Sequence, residues 1–170
     1  MQIRRATPED AGAIAVIHVA SSRAAYRGIL PEEVLQAFTV ERRETIWREI
    51  LTTRDADVWI AEHAGRDLGW ICVGASRDPD AKPTTAELRA MYIDPGSWRR
   101  GVGRALWSQA EAVLRAANCP QITLWVLEDN ARALAFYRSV GFVEDPGHAI
   151  ARDRGGVQLV EVRLRRDLGG

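Results

Sequence analysis

The spacing of apolar residues in the first third of the chain predicts one strand followed by helices. Thr7 and Pro8 suit the N-cap and the first position of a helix. Apolar residues then recur with helical spacing from Ala11 to Val19. The predicted elements of this part are a strand at residues 2–5 and helices at residues 8–21, 31–38 and 40–52.

The middle of the chain predicts a hairpin and a strand that runs into a glycine-containing loop. Two apolar runs flank Gly65, Arg66 and Asp67, which is typical of a hairpin turn. A loop rich in Asp, Pro and Thr, residues 76–85, leads to a further strand that begins at Glu87. The predicted elements are strands at residues 58–63, 68–75 and 87–93 and a long apolar helix at residues 102–117.

The last third predicts a strand at residues 122–127, a helix that begins near Asn130, and two closing strands at residues 142–144 and 157–164. A polar loop with glycines, residues 145–156, is expected between the closing strands. The order of elements indicates an α/β layered fold with a mixed sheet. We expect one domain at residues 1–166 and a short tail at residues 167–170.

Composition disfavours several classes of protein. A chain of 170 residues, 46% of them apolar, fits one globular core. Its formal net charge of zero gives no field that recruits nucleic acid. No run approaches the ~18 apolar residues of a membrane helix, and the N-terminal residues lack an apolar signal core, so we expect a cytoplasmic protein. The cysteines and histidines lack the spacing of metal ligands, and no metal is expected.

The segment that opens the long helix is suited to phosphate. The first N–H groups of a helix have no internal partner and carry partial positive charge. Gly101 and Gly103 leave this backbone uncovered, while Leu106 occupies the third-glycine position of the dinucleotide fingerprint and no P-loop lysine follows. Three neighbouring arginines can each pair with phosphate through two hydrogen bonds: Arg99, Arg100 and Arg104.

Residues 98–104 resemble the acyl-CoA-binding motif of the GNAT superfamily of N-acyltransferases, whose pattern is Gln/Arg-x-x-Gly-x-Gly/Ala. Trp98 stands where Gln or Arg is usual, and the following positions are in register. Residues 128–142 resemble the second signature of the same family, with Asn-x-x-Ala-x-x-Phe-Tyr-x-x-x-Gly-Phe intact. The ordered pair of motifs identifies the chain as similar to this family along most of its length.

The resemblance implies a mixed, mostly antiparallel central sheet of about six to seven strands with helices on both faces. It implies an N-acetyltransferase that uses acetyl-CoA as cosubstrate, without a metal. The acetyl group would pass by direct attack in a ternary complex to a primary amine of a small molecule, amino acid or peptide. Neither nucleic acid nor a membrane is an expected partner, and a homodimer stays open.

Cofactor contacts are carried over from the family's motifs. The pantetheine arm is expected to pair with main-chain groups of the strand at residues 87–93, as an added strand. The same N–H groups can polarise the thioester carbonyl. The residues expected to bind acyl-CoA are Met91, Tyr92, Ile93, Arg99, Arg100, Gly101, Val102, Gly103, Arg104, Asn130, Ala133, Phe136 and Tyr137.

Tyr137 is the first catalytic candidate. A phenol with an ordinary pKa of ~10 is protonated at neutral pH and can donate to the leaving thiolate. Its position in the second signature matches the family's general acid. Because Ala133, Phe136, Tyr137 and Val140 also share one helical face, Tyr137 could instead be a core aromatic residue with a paired hydroxyl.

Glu87 is the candidate general base, since an ammonium acceptor must lose a proton before it attacks. Glu87 begins the motif strand, and strict alternation places it on one face with Arg89, Met91 and Ile93. A half-exposed glutamate paired with Arg89 is the structural alternative. Trp125 occupies the position on the next strand where some relatives have a glutamate.

The resemblance implies an acceptor pocket lined by the loops at residues 21–30 and 145–156. Candidates for an aromatic wall are Tyr26, Trp47, Trp59 and Trp70, although six tryptophans in such a core need no ligand to explain them. A non-catalytic acyl-CoA-binding or sensing module on the same fold is the main alternative to an enzyme. A nucleic-acid-binding role for the basic loop is disfavoured by the zero net charge.

Overall fold

The computed structural model describes residues 1–169, without the side chain of Arg154. In this part of the chain seven strands form one sheet: β1 Gln2–Arg5, β2 Asp57–His63, β3 Arg66–Ala75, β4 Thr85–Ile93, β5 Gln121–Leu127, β6 Val143–Arg154 and β7 Val157–Asp167. The α-helices are α1 Ala11–Ala25, α2 Glu32–Gln36, α3 Val40–Thr53, α4 Val102–Ala116 and α5 Ala131–Ser139. Short 3-10 turns occur at Pro8–Asp10 and Pro95–Ser97.

The strands lie in the order β1-β2-β3-β4-β5-β7-β6, and β4–β5 is the parallel pair among otherwise antiparallel neighbours. Apolar side chains of α4 and α5, such as Leu106 and Leu134, pack on one face of the sheet. Those of α1 and α3, such as Ile14 and Trp47, pack on the other. The predicted mixed, mostly antiparallel sheet with helices on both faces is confirmed.

The first helix is longer than predicted. The Thr7–Pro8 start is a short 3-10 turn, and α1 continues from Ala11 to Ala25 rather than ending near Ser21. Its last turn is stabilised because Ser22 is fully buried and because Ala24 and Ala25, which favour helix, end the turn. Part of the predicted pocket loop at residues 21–30 is therefore helix.

The predicted loop at residues 145–156 is wrong, because most of it belongs to β6. A register shift between Glu144 and Ala149 accommodates Pro146 and Gly147 as a bulge, and the hairpin turns at Gly155 and Gly156. Since β6 is the edge strand of the sheet, it tolerates the proline and the polar residues that suggested a loop.

The predicted tail at residues 167–170 is wrong for its first two residues. Asp167 is the last residue of β7, and Leu168 is 1% exposed within the core. The Leu168 N–H also donates to the Pro120 carbonyl at 2.8 Å. Gly170 lies outside the described residues.

A bulge in β4 determines where the sheet opens. In the β3–β4 ladder Cys72 pairs with Ala90 and Val73 with Leu88, so Arg89 is the extra residue. The parallel β4–β5 ladder covers only the three pairs from Thr85 to Glu87 on β4. Because a bulge bends its strand and increases the local twist, the rest of β4 diverges from β5. The two strands therefore leave a gap between their carboxyl halves.

Two findings bear on classes of protein considered above. In residues 1–169 no helix is long and apolar enough to cross a membrane. Among the same residues, no group of three or more His, Cys, Asp or Glu side chains is arranged to hold a metal ion.

Candidate active site

A cavity of about 420 Å³ occupies the gap between β4 and β5. It is of the size that ligand sites in proteins usually have. The structure brings most of the predicted cofactor residues together on its walls: Met91, Tyr92, Ile93, Arg99, Gly101, Val102, Gly103, Arg104, Asn130, Ala133, Phe136 and Tyr137. Arg100 was also predicted, but it is exposed and lies outside the lining.

The start of α4 presents uncovered backbone to this cavity. Gly101 has a φ of 81°, a left-handed conformation that favours glycine, and a Cβ there would meet no atom within 4 Å. Among the described residues, no side-chain hydrogen bond caps the start of α4. The N–H groups that open α4 therefore have no capping partner in the described part of the chain, as the phosphate prediction requires.

Gly103 permits a close approach between α4 and α5. A Cβ at this position would lie 3.2 Å from the ring of Phe136, which is tighter than ordinary van der Waals contact. The second motif glycine therefore serves packing, whereas Gly101 serves backbone conformation. Together they hold both motif helices against one cavity.

Trp98 occupies the position at which the first motif differs from the family's pattern, and it links the loop to β4. Its indole N–H donates to the Ile93 carbonyl at 2.9 Å. The guanidinium carbon of Arg132, at the start of α5, lies 3.5 Å from the centre of the indole ring. Arg132 thus supplies a cation beside the position where the family usually has Gln or Arg. The Trp98 indole already occupies the Ile93 carbonyl as a hydrogen-bond acceptor.

Asn130 caps α5 as the simpler interpretation predicted. Its side-chain oxygen accepts from the Ala133 N–H at 3.2 Å. Asn130 also lines the cavity. Capping and a place on the cofactor wall are therefore compatible in one residue.

Tyr137 has its ring in the core and its hydroxyl toward the cavity. The residue is 8% exposed, and its ring packs edge-on against Phe136 and Phe142, with centroid distances of 5.4 and 5.7 Å. No described side chain hydrogen-bonds to its hydroxyl. Burial, assisted by neighbouring Tyr92, raises the pKa of the Tyr137 phenol above its ordinary value. The hydroxyl thus retains its proton and can donate it.

All three tyrosines of the chain line this cavity: Tyr26, Tyr92 and Tyr137. Tyr92 stacks on His18 of α1 at a centroid distance of 4.2 Å. His18 in turn accepts a hydrogen bond at Nδ1 from the Trp47 indole at 3.1 Å. Burial, with a smaller contribution from Arg43, lowers the pKa of His18 to about 3, so this ring is neutral and supports Tyr92 by packing.

Glu87 does not share a face with Met91 and Ile93, and that prediction is wrong. The bulge at Arg89 reverses the alternation of side chains along β4. Leu88 before the bulge packs on the α4/α5 face together with Met91 and Ile93 after it, which leaves Glu87 on the opposite face. Glu87 is absent from the cavity lining.

Glu87 is held in an ion pair instead. It is 4% exposed and accepts hydrogen bonds from the Arg77 backbone N–H at 3.1 Å and from Nε at 2.9 Å. Arg89, the partner suggested by the sequence, pairs with Asp55 at 2.6 Å. Burial raises the pKa of the Glu87 carboxyl, but the Arg77 hydrogen bonds outweigh it and the net pKa is lowered. This geometry gives no support to Glu87 as the base.

The aromatic wall differs from the predicted one. Trp47 and Trp70 are buried within the α1/α3 side of the core, and Trp59 packs against the other apolar cluster. Tyr26 is the predicted member that lines the cavity, and Trp125 lines it as well. The position of Trp125, five residues before the motif asparagine, is the signal by which sequence could have found it.

Glu161 of β7 also lines the cavity and was missed. Its neighbour in the sheet is Leu127 of β5, although α5 and β6 separate the two strands along the chain. No local motif surrounds Glu161 in the sequence. Only the strand order, with β7 next to β5, brings it to the site.

Comparison with known proteins agrees with this geometry. The acetyltransferase (GNAT) family profile matches residues 23–142. A probable N-acetyltransferase of Mycobacterium tuberculosis, Rv2775, is 28% identical over 168 residues, which cover 97% of this chain and 92% of that protein. A mycothiol acetyltransferase of Beutenbergia cavernae is 44% identical over 71 residues, 42% of this chain and 23% of that protein.

Solved structures show the same fold. The PaiA N-acetyltransferase of Thermoplasma acidophilum in complex with coenzyme A matches 98% of each chain with a TM-score of 0.76 at 19% identity. The family profile spans the chain from the end of α1 through α5 and so includes both motifs and most of the cavity lining. The chain therefore belongs to the GNAT family of acetyl-CoA-dependent acetyltransferases.

Proposed function

We propose that this protein transfers the acetyl group of acetyl-CoA to a primary amine of a small molecule, amino acid or peptide by direct attack in a ternary complex. The carrying observation is one continuous cavity that runs from the uncapped start of α4, along the free edge of β4, to the Tyr137 hydroxyl. Structural relatives that hold coenzyme A or acetyl-CoA support this choice of cosubstrate.

The cofactor would lie with its diphosphate at the start of α4. The Gly101 to Arg104 backbone and the Arg99 and Arg104 side chains supply N–H donors there. The pantetheine arm would pair with β4 beyond its bulge, where the parallel ladder to β5 has ended. A main-chain N–H of Met91 or Tyr92, whichever faces away from β3, would then polarise the thioester carbonyl.

The chemical step assigns one proton to Tyr137. The neutral amine forms a bond to the thioester carbon, the carbon–sulfur bond breaks, and the leaving thiolate takes the Tyr137 proton. The phenolate recovers a proton from the nitrogen of the new amide. A raised pKa keeps the Tyr137 hydroxyl protonated throughout the neutral range.

The test is Tyr137→Phe in a thiol-release assay with acetyl-CoA and a panel of primary amines. We expect kcat to fall by about 100-fold or more, with CoA affinity by calorimetry unchanged. Ser139→Ala is the matched control, because it removes a hydroxyl from the same helix at an exposed position outside the cavity lining. Unchanged turnover in the Tyr137 variant would remove the acid role. CoA binding without turnover in the unmodified protein would favour the non-catalytic module.

A further inference from the structure

The cavity has an acidic position on the α1/α3 face of the sheet. Along β7, Val162 and Leu164 pack on the α4/α5 face, so Glu161 points to the other side. It lies beside Leu127 on β5, which also lines the cavity. The Glu161 carboxylate thus approaches the gap from the face opposite to the helix that carries the phosphate motif.

Glu161 is the one carboxylate among the described lining residues. The other charged groups on the walls are guanidinium groups, and those of Arg99 and Arg104 adjoin the start of α4. Glu161 accepts a hydrogen bond at Oε2 from Arg152 at 2.7 Å, and its side chain is 25% exposed. One oxygen of this carboxylate therefore has a fixed partner, while Oε1 has none among the described hydrogen bonds.

Aromatic side chains line the cavity on the same side of the sheet as this carboxylate. Tyr26, Tyr92 and Trp125 line the same part of the cavity on the α1/α3 side. Burial raises the pKa of the Tyr26 phenol, and neighbouring Tyr92 and the Glu161 charge add to the rise. Aromatic faces attract cations, and a carboxylate among them selects a cation that can donate hydrogen bonds.

We propose that Glu161 and the walls of Tyr26, Tyr92 and Trp125 form the acceptor site, and that this site binds a primary ammonium ion. The inference rests on the proposed function and names the group that recognises its acceptor. The ammonium donates a hydrogen bond to Glu161 and transfers one proton to that carboxylate. The lone pair released on nitrogen forms the bond to the thioester carbon, and the proton passes to solvent.

The experiment measures binding of n-butylammonium chloride to the CoA-loaded protein at pH 7 by ligand-observed NMR, with 1-butanol as the neutral probe. We expect the ammonium to bind more tightly than the alcohol. Glu161→Gln should weaken ammonium binding by at least about 10-fold and leave the alcohol unaffected, because a hydrogen bond to a charged group is lost. Glu144→Gln is the matched control: Glu144 is a strand glutamate paired with Arg138, and it lies outside the cavity.

A second variant keeps the inference testable even if the first folds poorly. Arg152→Gln removes the competing guanidinium and retains Glu161, so ammonium binding should tighten by about 2- to 5-fold. Equal ammonium affinity of the unmodified and Glu161→Gln proteins would overturn the inference. So would equal affinity of the unmodified protein for both probes, no ammonium binding to it, or weaker binding to Arg152→Gln.

Turnover separates this inference from the proposed function. Thiol release from acetyl-CoA is measured with n-butylamine and with the amine panel. Glu161-dependent ammonium binding without turnover of any amine would refute the proposed function and retain the cation site. Turnover that is unchanged in Glu161→Gln would refute the role of Glu161 in the acceptor site and retain the proposed function. A raised KM for the amine, at unchanged CoA affinity, supports both.

Discussion

Replacing Glu87 by glutamine should reduce stability and leave catalysis nearly intact. The Glu87 side chain is 5% exposed, and the substitution keeps its shape while removing the charge that Arg77 pairs with. Hydrogen bonds to a charged group contribute about 1.5–3 kcal/mol. Since the Arg77 side chain is 62% exposed, solvent screening favours the lower part of that range.

A loss of about 2 kcal/mol corresponds to a fall in Tm of about 4–8 °C for a chain of this size. Urea unfolding of both proteins at pH 7 gives the free energy directly. The control is Glu144→Gln, whose ion pair is 63% exposed on the glutamate side and should change stability by less than about 0.5 kcal/mol. Because the lowered pKa of Glu87 stabilises the fold above the ordinary glutamate pKa of ~4.3, the deficit should shrink as pH falls below that value.

The kinetic measurement decides between ion pair and base. The structure predicts a kcat for Glu87→Gln within about 3-fold of the unmodified enzyme, whereas loss of a general base lowers rates by about 100-fold or more. A fall of that size with unchanged urea stability would refute the reversed alternation along β4. Loss of stability with retained kcat fits the geometry described here.

Three further substitutions test other parts of the fold. Gly103→Val should force α4 away from Phe136 and weaken CoA binding by at least about 10-fold in calorimetry, whereas Gly12→Val in α1, where a Cβ meets its nearest atom at 3.6 Å, should not. Between pH ~6.5 and about 3 only the unfolded state of the unmodified protein binds a proton at His18, so its free energy of unfolding should fall by up to about 1.4 kcal/mol per pH unit as pH is lowered. Urea unfolding of His18→Gln should not show this part of the fall. Leu168→Ala should lower the free energy of unfolding by about 2–5 kcal/mol. An unchanged free energy would mean that Leu168 belongs to an unpacked tail.

Most residues expected to bind acyl-CoA lie on the walls of one cavity, because the motifs that contain them are local in the chain. The glycine loop, the N-terminus of α4 and the motif helix α5 each depend on residues that are close in the chain. Their side chains and N–H groups follow from helix geometry, which needs no knowledge of strand order. Arg100 is the exception, since the turn at the left-handed Arg99 and Gly101 directs it to solvent.

The acceptor end could not be predicted in the same way because it depends on long-range pairing. Glu161 reaches the cavity only because β7 inserts between β5 and β6. The polar residues of β6 suggested a loop, since an edge strand lacks the alternation that marks a strand buried on one face. The strand that carries Glu161 was predicted, but its place beside Leu127 depends on the strand order, which neither closing strand reveals by itself.

A single extra residue, Arg89, explains both the error at Glu87 and the location of the site. Strict alternation would place Tyr92 on the face of Leu88, toward α4 and α5. The bulge moves Tyr92 to the α1/α3 face, where it stacks on His18, and it sends Met91 to the opposite side. The bulge also precedes the divergence of β4 from β5. The bulge at Arg89 therefore opens the gap and places Glu87 where it pairs with Arg77. It also directs the Tyr92 ring toward the face from which Glu161 approaches.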